Sequence, residues 1–160
     1  MSLTVVSNST PIIALAKIGR IDILRELFGT IVLPEAVYHE VSDYGRKRAG
    51  SAEVTGYDWI ATRKVHNRTA VDFLLVSLDL GEAEAIALAK ESSSDLLLID
   101  DRAGRRISES VELTITGTIG VLLRYYRGNP RSFKRSLDEL ISSGFRISMA
   151  EYQNILKLSK

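Results

Sequence analysis

The chain has 160 residues and no cysteine, and its 21 basic and 20 acidic residues give a formal net charge of +1 at pH 7. This length suffices for one well-buried core, and the balanced charge excludes a general polyelectrolyte attraction to nucleic acid. The lack of cysteine excludes disulfides and thiolate chemistry, and with the absence of a secretory signal pattern it favours a cytoplasmic protein. No apolar run approaches the length of a membrane span. We therefore expect a single domain over residues 1–160, with no membrane partner.

Apolar runs of strand length alternate with amphipathic runs of helix length along most of the chain. Strands are expected at residues 3–7, 30–33, 59–65, 96–99 and 113–115. Helices are expected at residues 11–18, 21–28, 34–41, 81–90, 102–111, 132–142 and 149–158, with a helix or turn at 71–80 and another helix that opens at 117–120. The least periodic stretch, 44–57, is expected to be a mobile loop or a short helix. The alternation predicts an α/β fold with a parallel sheet covered on both faces, in which residues 130–160 form a C-terminal helical extension.

The most informative stretch is D-L-L-L-I-D-D-R-A-G-R-R at residues 95–106. Its apolar part predicts a short buried strand that ends in two adjacent carboxylates, Asp100 and Asp101, and a helix follows them directly. In an open α/β sheet, ligands bind at the carboxyl ends of the strands. This strand therefore delivers two negative charges to the edge of the sheet where chemistry is usually done.

Three further polar side chains are expected near the same edge of the sheet. Asn8 and Thr118 come just after predicted strands, and Glu82 opens the helix that leads into the central strand. Carboxylates that crowd together repel one another and raise each other's pKa unless a cation neutralises them. The cluster therefore predicts a site for a hard divalent ion, and Mg²⁺ or Mn²⁺ fits best.

Each of these residues also has a simpler interpretation at a helix N-terminus. Asp and Asn side chains commonly cap helices, as does Thr, and Glu82 in a first turn would complement the helix dipole. Capping is the commoner role for any one of them taken alone, but here all the caps would lie at one edge of the sheet. That shared placement favours a functional site.

The other acids and both histidines carry weaker signals. Glu84 is expected to face solvent, and Glu40 is expected either on a solvated helix face or at the rim of the site. His39 and His66 are isolated from each other in sequence and lack the spacing of metal ligands, so we interpret both as structural.

Several common catalytic motifs are absent from the chain. The sequence contains no G-x-x-x-x-G-K-[ST] loop, no G-x-G-x-x-G after the first strand, no G-x-S-x-G elbow and no H-E-x-x-H. These absences remove support for a phosphate-binding loop, a dinucleotide site, acyl transfer and zincin hydrolysis. Metal-assisted phosphodiester hydrolysis is the chemistry that remains for an acidic cluster of this kind.

Five segments of the chain, in their order and spacing, resemble the PIN-domain family. They are V-S-N-S-T-P-I-I-A-L-A-K-I-G at 5–18, L-P-E-A-V-Y-H-E-V at 33–41, G-E-A-E-A-I-A-L-A at 81–89, L-L-I-D-D-R-A-G-R-R at 97–106 and G-T-I-G-V-L-L at 117–123. The branch that the chain resembles most is the VapC-like toxins and their prokaryotic relatives. The resemblance implies a five-stranded parallel sheet in a three-layer α/β/α sandwich, and a Mg²⁺- or Mn²⁺-dependent endoribonuclease.

The resemblance also implies the residues of the site. The acidic constellation of the family falls on Asn8, Glu82, Asp101 and Asp100, which are the expected metal ligands, and Thr118 is near a polar position that often completes the catalytic set. Glu40 matches an acid often found on the third helix of such proteins. The chain departs from the family at position 8, where PIN nucleases usually have Asp and this chain has Asn8.

RNA binding would need basic side chains around the acidic site. Arg102, Arg105 and Arg106 directly follow the Asp pair, and phosphate contacts by them are expected, although a solvated helix face is an equally good interpretation. Two more basic groups are Arg46, Lys47 and Arg48 in the aperiodic stretch, and Arg124, Arg127, Arg131, Lys134 and Arg135 near the C-terminus.

Three functions remain open from the sequence. The first is a toxin-type ribonuclease, for which the resemblance implies RNA as substrate, a cognate antitoxin as a further partner, and a homodimer. The second is a PIN-like module with weak or no cleavage that binds RNA or a protein partner, which Asn8 favours. The third is a structural subunit in which the carboxylates only cap helices, and it predicts no specific binding of divalent ions.

Overall fold

The computed structural model describes residues 3–42 and 50–160. Within these residues the strands are β1 (Val5–Ser7), β2 (Ile31–Pro34), β3 (Ile60–Arg63), β4 (Leu96–Leu98) and β5 (Ile115–Thr116). They form one five-stranded sheet in the order β3-β2-β1-β4-β5, and every neighbouring pair is parallel. The predicted parallel α/β architecture is confirmed.

Helices cover both faces of this sheet. Those in the described residues are α1 (Ser9–Lys17), α2 (Asp22–Phe28), α3 (Glu35–Ser42), α4 (Ser51–Gly56), α5 (Arg68–Leu74), α6 (Leu80–Glu91), α7 (Arg102–Ser110), α8 (Thr118–Tyr125), α9 (Pro130–Ser142) and α10 (Met149–Leu158). Among them, none is long and apolar enough to cross a membrane.

Strand alternation divides the buried side chains between two cores. Leu96 and Leu98 of β4 belong to the first core, together with side chains of α1, α2, α8 and α9. Leu97 and Ile99 belong to the second core, together with side chains of α5 and α6. Successive side chains of a strand point to opposite faces, so both faces of a parallel sheet must be apolar. Full burial of each such Leu or Ile stabilises the fold by about 1.5–3 kcal/mol relative to an exposed position.

The C-terminal helices join the first core mainly through α9. Phe133, Leu137 and Leu140 of α9 are fully buried there. Asn129 caps α9 by accepting a hydrogen bond from the Ser132 amide at 3.2 Å. The outer helix α10 covers this region only with partly exposed side chains, because it packs on the outside of the helical layer.

Two predicted segments differ from the structure in a way that has a local cause. The expected helix or turn at 71–80 is α5, which begins earlier because the Asn67 side chain accepts the Ala70 amide at 3.1 Å and caps it. Within the expected loop or short helix at 44–57, α4 forms the described helical part. The basic cluster Arg46, Lys47 and Arg48 lies outside the described residues.

The register of the sheet sets the position of the site. Ser7 pairs with Leu98, and Leu98 pairs with Thr116, so β1, β4 and β5 end at the same level. The chain continues this pairing for one residue, because the Asn8 amide donates to the Leu98 carbonyl oxygen at 2.9 Å. The polar residues that follow these three strands are therefore brought to one edge.

Candidate functional site

Asn8 lies at the end of β1 and is almost completely buried, with 4% of its surface exposed. It occupies the N-cap position of α1, but its side chain makes no capping hydrogen bond. Its Oδ1 atom has no hydrogen-bond partner among the residues that the structure describes. A buried acceptor without a partner costs about 1–3 kcal/mol. The simpler capping interpretation therefore does not account for the Asn8 side chain. Its oxygen remains available to bind a ligand.

Glu82 lies in the first turn of α6 as part of a capping box. The Asp79 carboxylate accepts the Glu82 amide at 2.8 Å, and Glu82 Oε1 in turn accepts the Asp79 amide at 3.1 Å. Asp79 was not among the predicted site residues, although the D-x-x-E pattern at 79–82 is the sequence signal of such a box. The box fixes the Glu82 carboxyl group at the carboxyl edge of the sheet, where it was expected.

The Glu82 carboxyl group is strongly perturbed. Burial raises the pKa of Glu82 from 4.5 to about 8, the Asp79 amide opposes the rise, and hydrogen bonds with the side chains of Asp101 and Asp79 add to it. Only 9% of the Glu82 surface is exposed. A proton shared between neighbouring carboxyl groups is the arrangement expected when acids crowd together without a cation. The structure therefore brings together Glu82, Asp101 and Asp79.

Asp101 serves as the N-cap of α7. Its Oδ2 atom accepts the Gly104 amide at 2.7 Å. Position 104 favours glycine for a steric reason, because a Cβ there would lie 2.6 Å from Ile99 Cδ1. The Asp101 side chain is otherwise exposed, and its carboxyl group is on the same side of β4 as α6 and Glu82. It can cap its helix and still present an oxygen to a ligand.

Asp100 belongs to a different group of side chains. Its two carboxylate oxygens accept the Thr118 amide at 2.8 Å and the Thr118 hydroxyl at 2.6 Å, so it caps α8 from the neighbouring strand. Burial raises the pKa of Asp100, while the hydrogen bonds from Thr118 and the charge of Arg105 lower it. The structure thus groups Asp100 with Thr118 and Arg105, and it groups Asp101 with Glu82.

The Glu40 carboxylate of α3 lies directly against the backbone of Gly81, where a Cβ would overlap its oxygen atoms. Gly81 precedes Glu82, so Glu40 lies at the rim of the acidic group, which was one of its two expected positions. The close approach of α3 to α6 is possible because position 81 has no side chain.

The expectation that Glu84 faces solvent is wrong. Glu84 is 5% exposed, its Oε2 atom lies 2.7 Å from the Arg68 guanidinium, and its Oε1 atom accepts the Ala36 amide at 2.9 Å. The error has a physical cause, because α3 and α5 both pack on α6 and bury every residue from 81 to 89. Such a helix has no solvated stripe that its sequence could reveal.

The two histidines were expected to be structural. The ring of His39 makes an edge-on contact with Tyr38, with 5.7 Å between the ring centroids. The His66 amide donates to the Glu91 carboxylate at 3.1 Å, beside the cap of α5. Both residues are exposed, and the His66 contact is made by its backbone, so the structural role of the two imidazoles stays a prediction.

The oxygen atoms at this edge are of the chemical type that hard divalent cations bind. Within residues 3–42 and 50–160, however, no three His, Asp or Glu side chains are arranged so that they could hold a metal ion, and this includes Glu82, Asp101 and Asp79. The atoms that do come together are the carboxyl groups of Glu82 and Asp101, and the unpartnered Asn8 oxygen follows the neighbouring strand. Carboxylate and amide oxygens are the ligands of Mg²⁺ and similar hard ions, whereas soft ions prefer sulfur.

The basic side chains near the Asp pair differ in their environment. Arg102 and Arg106 are exposed on α7. Arg105 is half-buried and donates from Nη1 to the Ile99 carbonyl oxygen at 3.2 Å. In the second basic group, Lys134 is paired with Asp138 at 2.8 Å, and Arg124 lies over the Phe28 ring at 5.3 Å. Parts of both groups therefore serve the fold itself.

An all-parallel sheet between helical layers, with carboxylates at its carboxyl edge, defines the class of three-layer α/β sandwich proteins with a polar site at the strand ends. A family model described as a PIN domain matches residues 4–160. The chain belongs to the PIN-domain family, as its sequence motifs indicated. A comparison with curated proteins found no match.

Proposed function

We propose that this PIN-domain protein is a metal-dependent endoribonuclease that cleaves RNA phosphodiester bonds with the help of Mg²⁺ or Mn²⁺. The observation that carries the proposal is the buried, unpartnered oxygen of Asn8 at the same sheet edge as the hydrogen-bonded carboxyl groups of Glu82 and Asp101. PIN domains generally bind nucleic acids and use divalent metal ions, which supports the same chemistry here.

Asn8, Glu82 and Asp101 are the residues that would hold the ion, and Asp100 would add negative potential from the adjoining position. A bound divalent ion would activate water and stabilise charge on the scissile phosphate. Asp100 has both oxygens engaged by Thr118, so we assign the larger share of ligation to Asp101. The pairing with Thr118 holds the start of α8 in place at the edge of the site.

The chain's own residues can also handle protons at this site. With the pKa of Glu82 raised to about 8, its carboxyl group holds a proton at neutral pH in the metal-free protein. Binding of a divalent ion would displace this proton, because a carboxyl group must be ionised to ligate a cation. The capping box with Asp79 fixes one oxygen of Glu82, so the proton is held in a defined place.

We assign the exposed arginines of α7 to phosphate positioning. Arg102 and Arg106 lie in the two turns that follow Asp101, and their guanidinium groups are open to solvent. Guanidinium groups bind phosphate oxygens with two parallel hydrogen bonds, which positions the backbone without reading its sequence. The cluster Arg46, Lys47 and Arg48 is a further candidate for this role.

The finer assignment is a toxin of the VapC-like kind that acts in the cytoplasm, with a cognate antitoxin as protein partner and a homodimer as the active form. This assignment rests on the sequence resemblance. Residues 1–160 are proposed to be one folding unit in which the C-terminal helices supply the two-fold contact. A small neighbouring gene for a DNA-binding protein would support the toxin assignment, and growth arrest on expression of the chain would test it.

A second candidate function is a PIN-like module that binds RNA or a protein with weak or no cleavage. The specific observation in its favour is Asn8, which contributes an oxygen without a formal charge. Affinity at oxygen-ligand sites depends on the number of charged ligands, so the ion would bind more weakly than at a site with a third carboxylate.

A cleavage assay on single-stranded RNA, end-labelled and incubated with Mn²⁺ or with a chelator, tests the proposal. The parent chain is expected to cut only with the divalent ion, and Asp101→Asn is expected to abolish cutting. Asp72→Asn is the matched control, because Asp72 is an exposed carboxylate on α5. Chelator-resistant cleavage would contradict the metal-dependent mechanism, and RNA binding without cleavage would favour the second function.

A further inference from the structure

A cleft with a volume of about 370 Å³ opens on the other side of the β4 end from Glu82. It lies between the end of β5, the first turn of α8 and the segment that joins α9 to α10. The residues that matter for its chemistry are Asp100, Arg105, Gly117, Ile119, Phe145 and Arg146. None of the site chemistry described above accounts for this space.

The inner wall of the cleft is polar and closely fitted. A Cβ at Gly117 would lie 2.5 Å from Asp100 Oδ1 and 2.9 Å from Arg105 Nη1, so the glycine lets both side chains approach the backbone. Asp100 is occupied by its two hydrogen bonds from Thr118. The positive charge of Arg105 also faces this carboxylate. Arg105 is anchored through one N–H group to the Ile99 carbonyl oxygen.

The outer wall combines an exposed guanidinium with apolar side chains. Phe145 and Ile147 are half-buried and pack against the first core, and Arg146 between them is exposed. Glu151, in the first turn of α10, is exposed at the rim. An aromatic face beside guanidinium groups is the combination that binds single-stranded nucleic acid, because bases stack on the ring while phosphates pair with the cation.

The cleft is continuous with the candidate catalytic edge. Asp100 and Asp101 are consecutive, and strand alternation directs them to opposite sides of the β4 end. Asp101 meets Glu82 on one side, and Asp100 meets Thr118 and the cleft on the other. A single RNA strand that crosses this edge can therefore contact both the acidic group and the cleft at once.

We propose that this cleft binds one nucleotide of single-stranded RNA next to the scissile bond, with its base on Phe145 and its phosphate on Arg146. The inference rests on the proposed ribonuclease function, because it assigns a substrate subsite beside the same acidic group. It adds the α9–α10 segment, which carries no predicted site residue, to the RNA-binding surface.

The test is a binding titration by fluorescence anisotropy with a fluorescein-labelled 12-nucleotide single-stranded RNA of mixed sequence, in chelator so that no cleavage occurs. Arg146→Ala is expected to weaken binding about tenfold at low salt and to reduce the slope of log K against log salt by about 0.7, the value for one phosphate contact on a single strand. Phe145→Leu is expected to weaken binding about three- to tenfold with little change of slope, since base stacking is lost.

Arg25→Ala is the control, because Arg25 is an exposed arginine on α2, which leads into the opposite end of the sheet. Its affinity is expected to stay within about twofold of the parent, as for a surface residue outside the path of the RNA. Melting curves of all variants verify folding. If Phe145→Leu is unstable, the affinity and salt slope of Arg146→Ala alone test the proposed subsite.

The outcomes separate this inference from the function on which it rests. Where the parent cleaves RNA with Mn²⁺, Arg146→Ala should raise KM and leave kcat unchanged, because the contact is made equally in the ground and transition states. If the parent binds RNA without ever cleaving it and Arg146→Ala binds more weakly, the subsite is supported and the nuclease is refuted. A parent that does not bind the RNA, or an Arg146→Ala protein that binds with unchanged affinity and slope, would overturn the subsite even if cleavage is observed.

Discussion

Binding of Mn²⁺ at the candidate site should release protons, and the number released should depend on pH in a defined way. The pKa of Glu82 is raised by burial to about 8 in the metal-free protein. A carboxyl group must be ionised to ligate a cation, so binding displaces the proton that it carries. For a pKa of about 8, roughly nine-tenths of a proton per chain is released at pH 7, about half at pH 8 and about a tenth at pH 9.

The same shift fixes the direction of the pH dependence of stability without metal. The folded pKa of Glu82 lies above its ordinary value of 4.5, so the folded chain binds more protons than the unfolded chain between these values. The free energy of unfolding therefore contains a contribution that is present at low pH and is lost as the pH rises towards 8. Bound Mn²⁺ should remove this dependence, because it replaces the proton as the partner of the carboxylate.

Isothermal titration calorimetry measures the proton number directly, from binding enthalpies in buffers of different ionisation enthalpy at one pH. Glu82→Gln should bind Mn²⁺ more weakly and release almost no protons at pH 7, whereas Asp72→Asn should behave as the parent. Metal binding at pH 7 without proton release in the parent chain would refute the assignment of Glu82 as a ligand.

Three further predictions concern single positions or assembly. Glu84→Ala should lower the free energy of unfolding by about 2 kcal/mol in urea titrations, because the Ala36 amide and Arg68 lose their partner. Glu109→Ala, at an exposed position of α7, should change it little. Asn8→Asp should bind Mn²⁺ about tenfold more tightly by calorimetry and melt lower in chelator, and unchanged values would place position 8 outside the ligand shell. Light scattering at tens of micromolar protein should give a dimer mass, and a monomer mass would reject the two-fold contact.

The architecture of this chain could be predicted from periodicity because its strands and helices differ in length and pattern. Placing Asn8 and the Asp pair after strand ends was enough to bring them to one edge, since the carboxyl ends of parallel strands coincide. The capping box of Glu82 has a sequence signal of the same local kind, the D-x-x-E pattern at 79–82, although Asp79 was not predicted. Local rules of this kind act over a few residues and do not depend on distant packing.

The environment of Glu84 could not be predicted in the same way. Its burial depends on α3 and α5, which pack on α6 from other parts of the chain. The separation of Asp100 from Asp101 is an intermediate case. The alternation of strand side chains predicts opposite directions, but the partner of Asp100 is Thr118, which lies 18 residues away. Contacts of that kind follow from the strand order, which a single sequence does not specify.

In the proposed metal site, the residues at positions 8 and 82 would reduce the negative charge in two ways. Three ionised carboxylates in a buried position repel one another and lose hydration, and both effects oppose folding without a cation. Asn8 removes one charge permanently, and the raised pKa of Glu82 removes another for as long as the proton stays bound. The metal-free chain can therefore keep its acidic edge assembled at neutral pH. The affinity for a divalent ion would be lower in return, because the ion would have to displace a proton from Glu82 and would gain no charge from Asn8.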